Sequence, residues 1–326
     1  MKNSILLICI IFLLFSCKQN KKFTTLKGLA FGTQFIIKYD DDLQRDFSKS
    51  VDSLIKSVNK SLSTYEKTSD ISRINAGDLS VIVDEKFKEV FNKSRKIFDE
   101  TNGVFDPTIG VLVNAWDFGP EKPLKLLDSS KVKALMQAVG FDKVHLQNNK
   151  IIKENSQTYL DFNAIAKGYG IDVIGRFFES KHIKNYMIEI GGELRVRGKN
   201  PSSLDWNIQI EQPNFDGTRS GAKTIRLNNE SMATSGTYRK FKMDKNGHKY
   251  AHILNSKTGF PIKSNLLSAS VIAELDCADV DAYATTLIAL GLERSKAFLK
   301  NHPELTVFLI YSDENGALKT FQTDAL

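Results

Sequence analysis

The chain predicts an α+β fold: a mixed, largely antiparallel set of sheets with helices packed on it, in one unit. Apolar residues recur at helical spacing up to about residue 140, and short β-rich runs dominate from 144 onward. Several of these runs are joined by short turns such as Gly191-Gly192. Such turns connect antiparallel neighbours, whereas a doubly wound parallel sheet needs a long crossover after every strand. No Pro/Gly/Ser-rich linker, internal repeat or low-complexity stretch divides the 326 residues, so most of the chain is expected to share one large core.

In chain order, Phe31 to Tyr39 reads as a strand. A helix over 43–62 follows, because Phe47, Val51, Leu54, Ile55, Val58 and Leu62 fall on one stripe. Asp84 opens a second helix carrying Phe87, Val90, Phe91, Ile97 and Phe98, and Asn102-Gly103 stops it. Ser129 or Ser130 caps a third, with Val132, Leu135, Met136 and Val139 on its inner face. Strands are expected at 144–152, 158–162, 185–190, 193–198, 206–211, 223–227, 249–254, 267–273 and 305–311. Helices interrupt them from Ala166, over 277–290 and over 293–300.

The N-terminus has the layout of a secretory signal, with Lys2, an apolar run from Ile5 to Phe15, then Ser16-Cys17. The run is short for a membrane span. Leu14-Phe15-Ser16-Cys17 resembles a bacterial lipobox, in which Cys17 is lipidated and begins the mature protein; a plain signal with an incidental cysteine is the alternative. The expected organisation is a signal at 1–16, a lipidated tether at 17–24 and one domain over 25–326, anchored by lipid in the cell envelope and facing the periplasm or exterior. Cys9 leaves with the signal and Cys17 is acylated, so Cys277 stands alone. That excludes an intramolecular disulfide and a metal site of the Cys/His type. The formal charge of +7 falls to +6 without Lys2 and is interleaved with acids, which disfavours nucleic acid and leaves a mild attraction for anionic ligands.

Two small-residue segments carry the chemistry. DFNAIAKGYG at 161–170 sets Asp161 and Lys167 on either side of alanines, and DAYAT at 281–285 puts Asp281 and Thr285 one helical turn apart. Carboxylate and hydroxyl oxygens on one face suit a hard cation, and small side chains let a diphosphate approach main-chain N–H and C=O groups. Taken singly, either segment is better explained by tight helix packing.

Further polar blocks follow in order: FGTQF at 31–35, LSTYEKTSDISRIN at 62–75, FDPTIGVLVNAWDFGP at 105–120 and LDFNAIAKGYGIDVI at 160–174. The second half carries YMIEIGGELRVRGKN at 186–200, ATSGTYRKF at 233–241, YAHILNSKTGFPI at 250–262 and DVDAYATTLIALG at 279–291. With these eight blocks the chain resembles the ApbE family, the FAD:protein FMN transferases, over almost its whole length after the signal. The resemblance implies a single α+β unit that uses FAD and Mg²⁺ to transfer FMN to a Thr or Ser hydroxyl of an acceptor protein, releasing AMP. The acceptor it suggests is a redox subunit of a membrane complex.

By matched position, the resemblance assigns metal ligation to Asp281, Thr285 and the carbonyls of Ala164 and Ala284. It assigns FAD contacts to Phe31, Tyr65, Val104, Phe105, Asp106, Asp161, Lys167 and His252. A Thr hydroxyl is a poor nucleophile until deprotonated, a residue type that titrates near neutrality is the natural base, and His252 is the candidate. An aromatic residue at the place of Tyr65 resembles transferring members. Glu193, Ser235 and Thr237 are further candidates near the site. Asn255-Ser256 departs from the Asp-Pro usual in its block. An FAD pyrophosphatase giving FMN and AMP, or a non-catalytic FAD-binding lipoprotein, would share the same contacts.

Overall fold

The computed structural model describes residues 23–124, 127–214, 216, 218–238, 241–243, 249–324 and 326; the signal and the Cys17 lipobox lie outside these. Eight strands form one sheet: β1 (Phe23–Ala30), β2 (Thr33–Asp40), β5 (Tyr186–Ile190), β6 (Glu193–Arg197), β9 (Ser231–Gly236), β12 (Leu266–Ala273), β13 (Thr306–Ser312) and β14 (Leu318–Gln322), in that spatial order. Every pairing within it is antiparallel. Among the described residues three hairpins stand outside this sheet: β3 (Val144–Gln147) with β4 (Lys150–Lys153), β7 (Trp206–Glu211) with β8 (Gly221–Leu227), and β10 (Phe241–Met243) with β11 (Lys249–Ala251).

The helices are α1 (Ser48–Leu62), α2 (Asp70–Asn75), α3 (Glu85–Glu100), α4 (Gly110–Ala115), α5 (Ser129–Leu135), α6 (Ala166–Ser180), α7 (Cys277–Leu290) and α8 (Leu292–Leu299). Strand alternation divides the core into two layers. Ile37, Ile188, Val271, Val307 and Leu309 face α1, α3, α6 and α7, while Val196, Ile272, Phe308 and Ile310 pack on the β7–β8 hairpin around Trp206 and Ile225. Helix α7 lies at the centre, packed on α6, β9 and β12. All its residues are buried except Thr285, Ala289 and Leu290, as expected of a helix that is apolar on all sides. An ionisable residue inside such a helix requires a partner or a function.

Local rules hold where one side chain decides. Asp84 caps α3 by accepting the Phe87 N–H at 2.9 Å, and Asn102 and Gly103 stop that helix at φ 50° and 72°. The expected strand 144–152 is a hairpin, because Asn148 and Asn149 both take positive φ and turn the chain within two residues. No strand forms over 158–162. There the Leu160 backbone is satisfied by both ends of the Asn75 amide, at 2.8 Å each, and Tyr159 makes a single bridge to Ile109. The first helix begins at Ser48 instead of 43, because Asp41 accepts the Arg45 N–H at 2.8 Å and Gln44 sits at φ 52°. Strand β1 begins at Phe23 and takes in the last two residues expected in the tether.

Candidate active site

A cavity of about 910 Å³ opens between the edge of the β1–β2 turn, the start of α6, the middle of α7 and the 252–256 segment. This is at the upper end of the size range for small-molecule sites. The turn contributes Phe31 at φ 51° and Gly32 at φ 76°, a two-residue hairpin loop in which a phenylalanine is an uncommon occupant. Its ring lies over Gly170: a Cβ there would sit 2.3 Å from the ring, so the glycine makes room for it.

Tyr65 stands at the rim on the turn after α1, with 59 % of its surface exposed. The turn is knitted by Ser69 and Ser72, whose hydroxyls both donate to the Ser63 carbonyl, at 2.6 and 3.1 Å. Burial of the phenol, and then the charge of Asp161, raise its pKa. Val104, Phe105 and Asp106 form the facing wall. Asp106 accepts from the Thr108 N–H and hydroxyl at 2.8 and 2.5 Å, yet burial dominates and raises its pKa. Ser256 donates to the Gly103 carbonyl at 2.6 Å and fastens this wall to the segment bearing His252. His252 lies just beyond β11, outside any strand, with its ring edge-on to Phe118 at 6.2 Å between centroids.

Asp161 precedes α6; its N–H donates to the Pro107 carbonyl at 2.7 Å, and its carboxylate accepts from the Asn163 N–H at 2.7 Å. Ala164 and Lys167 continue the wall. The Gly168 N–H, in the first turn of α6, donates to Asp281 Oδ2 at 3.1 Å across the helix pair. The two backbones touch there, since a Cβ on Gly168 would lie 2.3 Å from the Cys277 carbonyl oxygen. Thr285 shares a hydrogen bond with Ser235 at 2.9 Å.

Lys167 Nζ lies 2.5 Å from Glu193 Oε2, an ion pair closer than it is well directed, because that buried oxygen receives no aligned hydrogen bond. Burial works against the ammonium, but Glu193 and then Asp281 overcome it, so Lys167 stays charged with a raised pKa. Burial likewise pushes Asp281 up; Lys167 opposes this and Glu193 adds to it. One ammonium facing two carboxylates leaves this wall short of positive charge.

Of the residues singled out in the sequence, Phe31, Tyr65, Val104, Phe105, Asp106, Asp161, Ala164, Lys167, Glu193, Ser235, His252, Asp281 and Thr285 all line this cavity. Ala284 does not: it is fully buried in the core, off the cavity wall. Thr237 is also absent from the lining. Phe118, Asn163 and Thr234 line it without having been singled out, although each lies within one of the polar blocks that carry the resemblance. Among the described residues no group of three His, Cys, Asp or Glu side chains is placed to hold a metal. Asp281, Thr285 and a main-chain carbonyl nevertheless make an oxygen-only donor set. Such a set fits Mg²⁺, which keeps part of its shell for water and substrate phosphates.

A family model described as the ApbE family matches residues 31–309. The FAD:protein FMN transferase of Haemophilus influenzae is 34 % identical over 314 residues, covering 92 % of this chain and 90 % of that one. The protein of the same description from Vibrio cholerae is 33 % identical, covering 97 % and 96 %. Among solved structures, the flavin transferase ApbE from Vibrio cholerae superposes with a TM-score of 0.83 at 31 % identity over 94 % of this chain and 98 % of that one. The apo flavinyl transferase ApbE of Pseudomonas stutzeri gives 0.83 at 26 % identity, over 94 % and 96 %.

Proposed function

This chain belongs to the ApbE family, and from that premise we propose how its cavity transfers the FMN moiety of FAD to an acceptor protein. The relatives carry the name FAD:protein FMN transferase, and this chain is an enzyme of that kind. The observation that carries the detailed reading is the meeting of His252, Lys167, Asp281 and Thr285 on the walls of one cavity.

In the proposed reaction a Thr or Ser hydroxyl of the acceptor attacks the phosphorus of the FMN half of the FAD diphosphate. The bond to the AMP oxygen breaks, the new phosphoester forms, and AMP leaves with the electron pair of that bond. His252 accepts the hydroxyl proton. Lys167, held charged in the wall, stabilises negative charge growing on the phosphate oxygens. Phe31 and the Val104–Asp106 wall hold the ligand's rings and ribityl chain, and Tyr65 at the rim meets the ligand where the acceptor arrives. Asp281, Thr285 and the Ala164 carbonyl are the groups that would hold Mg²⁺, which when bound neutralises diphosphate charge. Ala284 does not line the cavity, and its carbonyl is left out of this set.

Residues 1–17 support a lipid anchor at Cys17 and a location in the cell envelope, facing the periplasm or exterior, with the acceptor reached from that side. The test of the function is incubation of the protein from residue 18 onward with FAD, Mg²⁺ and an acceptor domain, read by intact mass. A gain equal to FMN less water, abolished by EDTA and by His252→Ala while FAD still binds, is expected. Cleavage of FAD to FMN and AMP with an unmodified acceptor would favour hydrolysis instead.

A further inference from the structure

Three elements carry two matched triplets of charge. Asp172 on α6, Arg195 on β6 and Asp276 just before α7 form one, and Lys167 on α6, Glu193 on β6 and Asp281 on α7 the other. Five residues of helix and two of strand separate them, about 7.5 and 6.6 Å, so the two lie at nearly the same spacing along each element. In the first triplet the cation is on the strand, and Arg195 bridges Asp172 and Asp276 at 2.7 and 2.9 Å. In the second the signs are exchanged: the cation is on α6 and the strand supplies a carboxylate. The strand glutamate therefore competes with Asp281 for a single ammonium, and wins it at 2.5 Å.

We infer that Glu193 is a positioning residue for the cation site: by holding the Lys167 ammonium, it keeps that ammonium off Asp281 and leaves the Asp281 carboxylate open to a divalent cation. This rests on the reading of Asp281 and Thr285 as cation ligands. An ammonium released next to a buried carboxylate pairs with it, because neither ion tolerates burial alone. Paired in that way, Lys167 becomes a built-in competitor for Mg²⁺. Glu193 has little freedom to yield, since it is 4 % exposed and follows Gly191 and Gly192 at φ 68° and 110° directly into β6.

The experiment is Mn²⁺ binding without FAD, followed by electron paramagnetic resonance, for the wild type, Glu193→Gln, Lys167→Met and Asp281→Ala, with a crystal structure of Glu193→Gln. Expected are a tenfold or greater loss of Mn²⁺ affinity in Glu193→Gln, with Lys167 Nζ moved onto Asp281, and affinity at least equal to wild type in Lys167→Met. Unchanged affinity in Glu193→Gln, or Lys167 remaining apart from Asp281 in its structure, overturns the role of Glu193. So does weakened binding in Lys167→Met, which also decides the matter should Glu193→Gln fail to fold. If instead Asp281→Ala binds Mn²⁺ like the wild type, the cation-site reading itself falls and takes this role with it.

Discussion

The two charge triplets share their helices, their strand and their number of ions, but they differ in saturation. Asp172 is fully buried and accepts from Arg195 at 2.7 Å and from the Cys277 and Ala278 N–H groups at 2.8 and 2.9 Å. Burial and the neighbouring Asp276 push its pKa up to about 7, against Arg195 and those two N–H groups. Lys93 and Arg176 also pair with Asp276, so the triplet's charges are matched, and it fixes the start of α7 and does little else. The Lys167–Glu193–Asp281 triplet opens on the cavity with an excess of negative charge. Buried charge that is fully partnered serves structure, and buried charge left partly partnered beside a cavity marks a place for a ligand.

Breaking the open triplet is expected to give the largest effect. Asp281→Ala should lower metal-dependent transfer by about 10³-fold with a melting temperature unchanged or raised, because a buried charge is removed without orphaning Lys167. Steady-state rates against calorimetry check this, and an unaffected rate would sink the metal assignment. Breaking the closed triplet should do the reverse. Asp172→Ala leaves two buried helix N–H groups without their acceptor and Arg195 with only Asp276 and Glu179, and should cost about 2–4 kcal/mol of stability, measured by urea unfolding. Enzyme that remains folded should keep most of its turnover.

A milder change sharpens the same contrast. Ser235→Ala removes the partner of the Thr285 hydroxyl, a loss of about 1 kcal/mol. The Mg²⁺ concentration for half-maximal rate should rise roughly fivefold with kcat little changed, as a metal titration would read out.

The smallest effect belongs to the Asp41–Arg45 pair, whose arginine is partly exposed. Arg45 holds Asp41 through bonds of 2.8 Å and lowers its pKa to about 2. A carboxyl held below its unfolded value stabilises the fold above about pH 4, and that contribution is lost as pH falls through 2. Wild type should therefore exceed Asp41→Asn by about 1 kcal/mol or less at pH 6, with the difference vanishing near pH 2 in acid unfolding.

Much of this could be read from local pattern. Asp281 and Thr285 were paired by helical spacing alone, α7 was bounded correctly, and Asp84 and Asn102-Gly103 acted as the expected start and stop. Strand β9 was not legible. Ser231, Met232 and Ala233 are buried, but Ser-Met-Ala-Thr-Ser-Gly lacks the branched and aromatic residues that announce a strand. Its small side chains are what let α7 lie close on the sheet. Likewise His252 reads as a strand residue in YAHIL, yet β11 ends at Ala251.

What the sequence by itself determined was the fold class, the family, most of the longer helices and the residue types of the site, because caps, turns and periodicity act over a few neighbours. Tertiary structure alone decided that Glu193 takes Lys167, that Phe118 meets His252 and that Ala284 faces the core. Those partnerships join residues far apart in the chain and depend on which strands lie side by side, and an eight-stranded sheet settles that only when all its layers pack together.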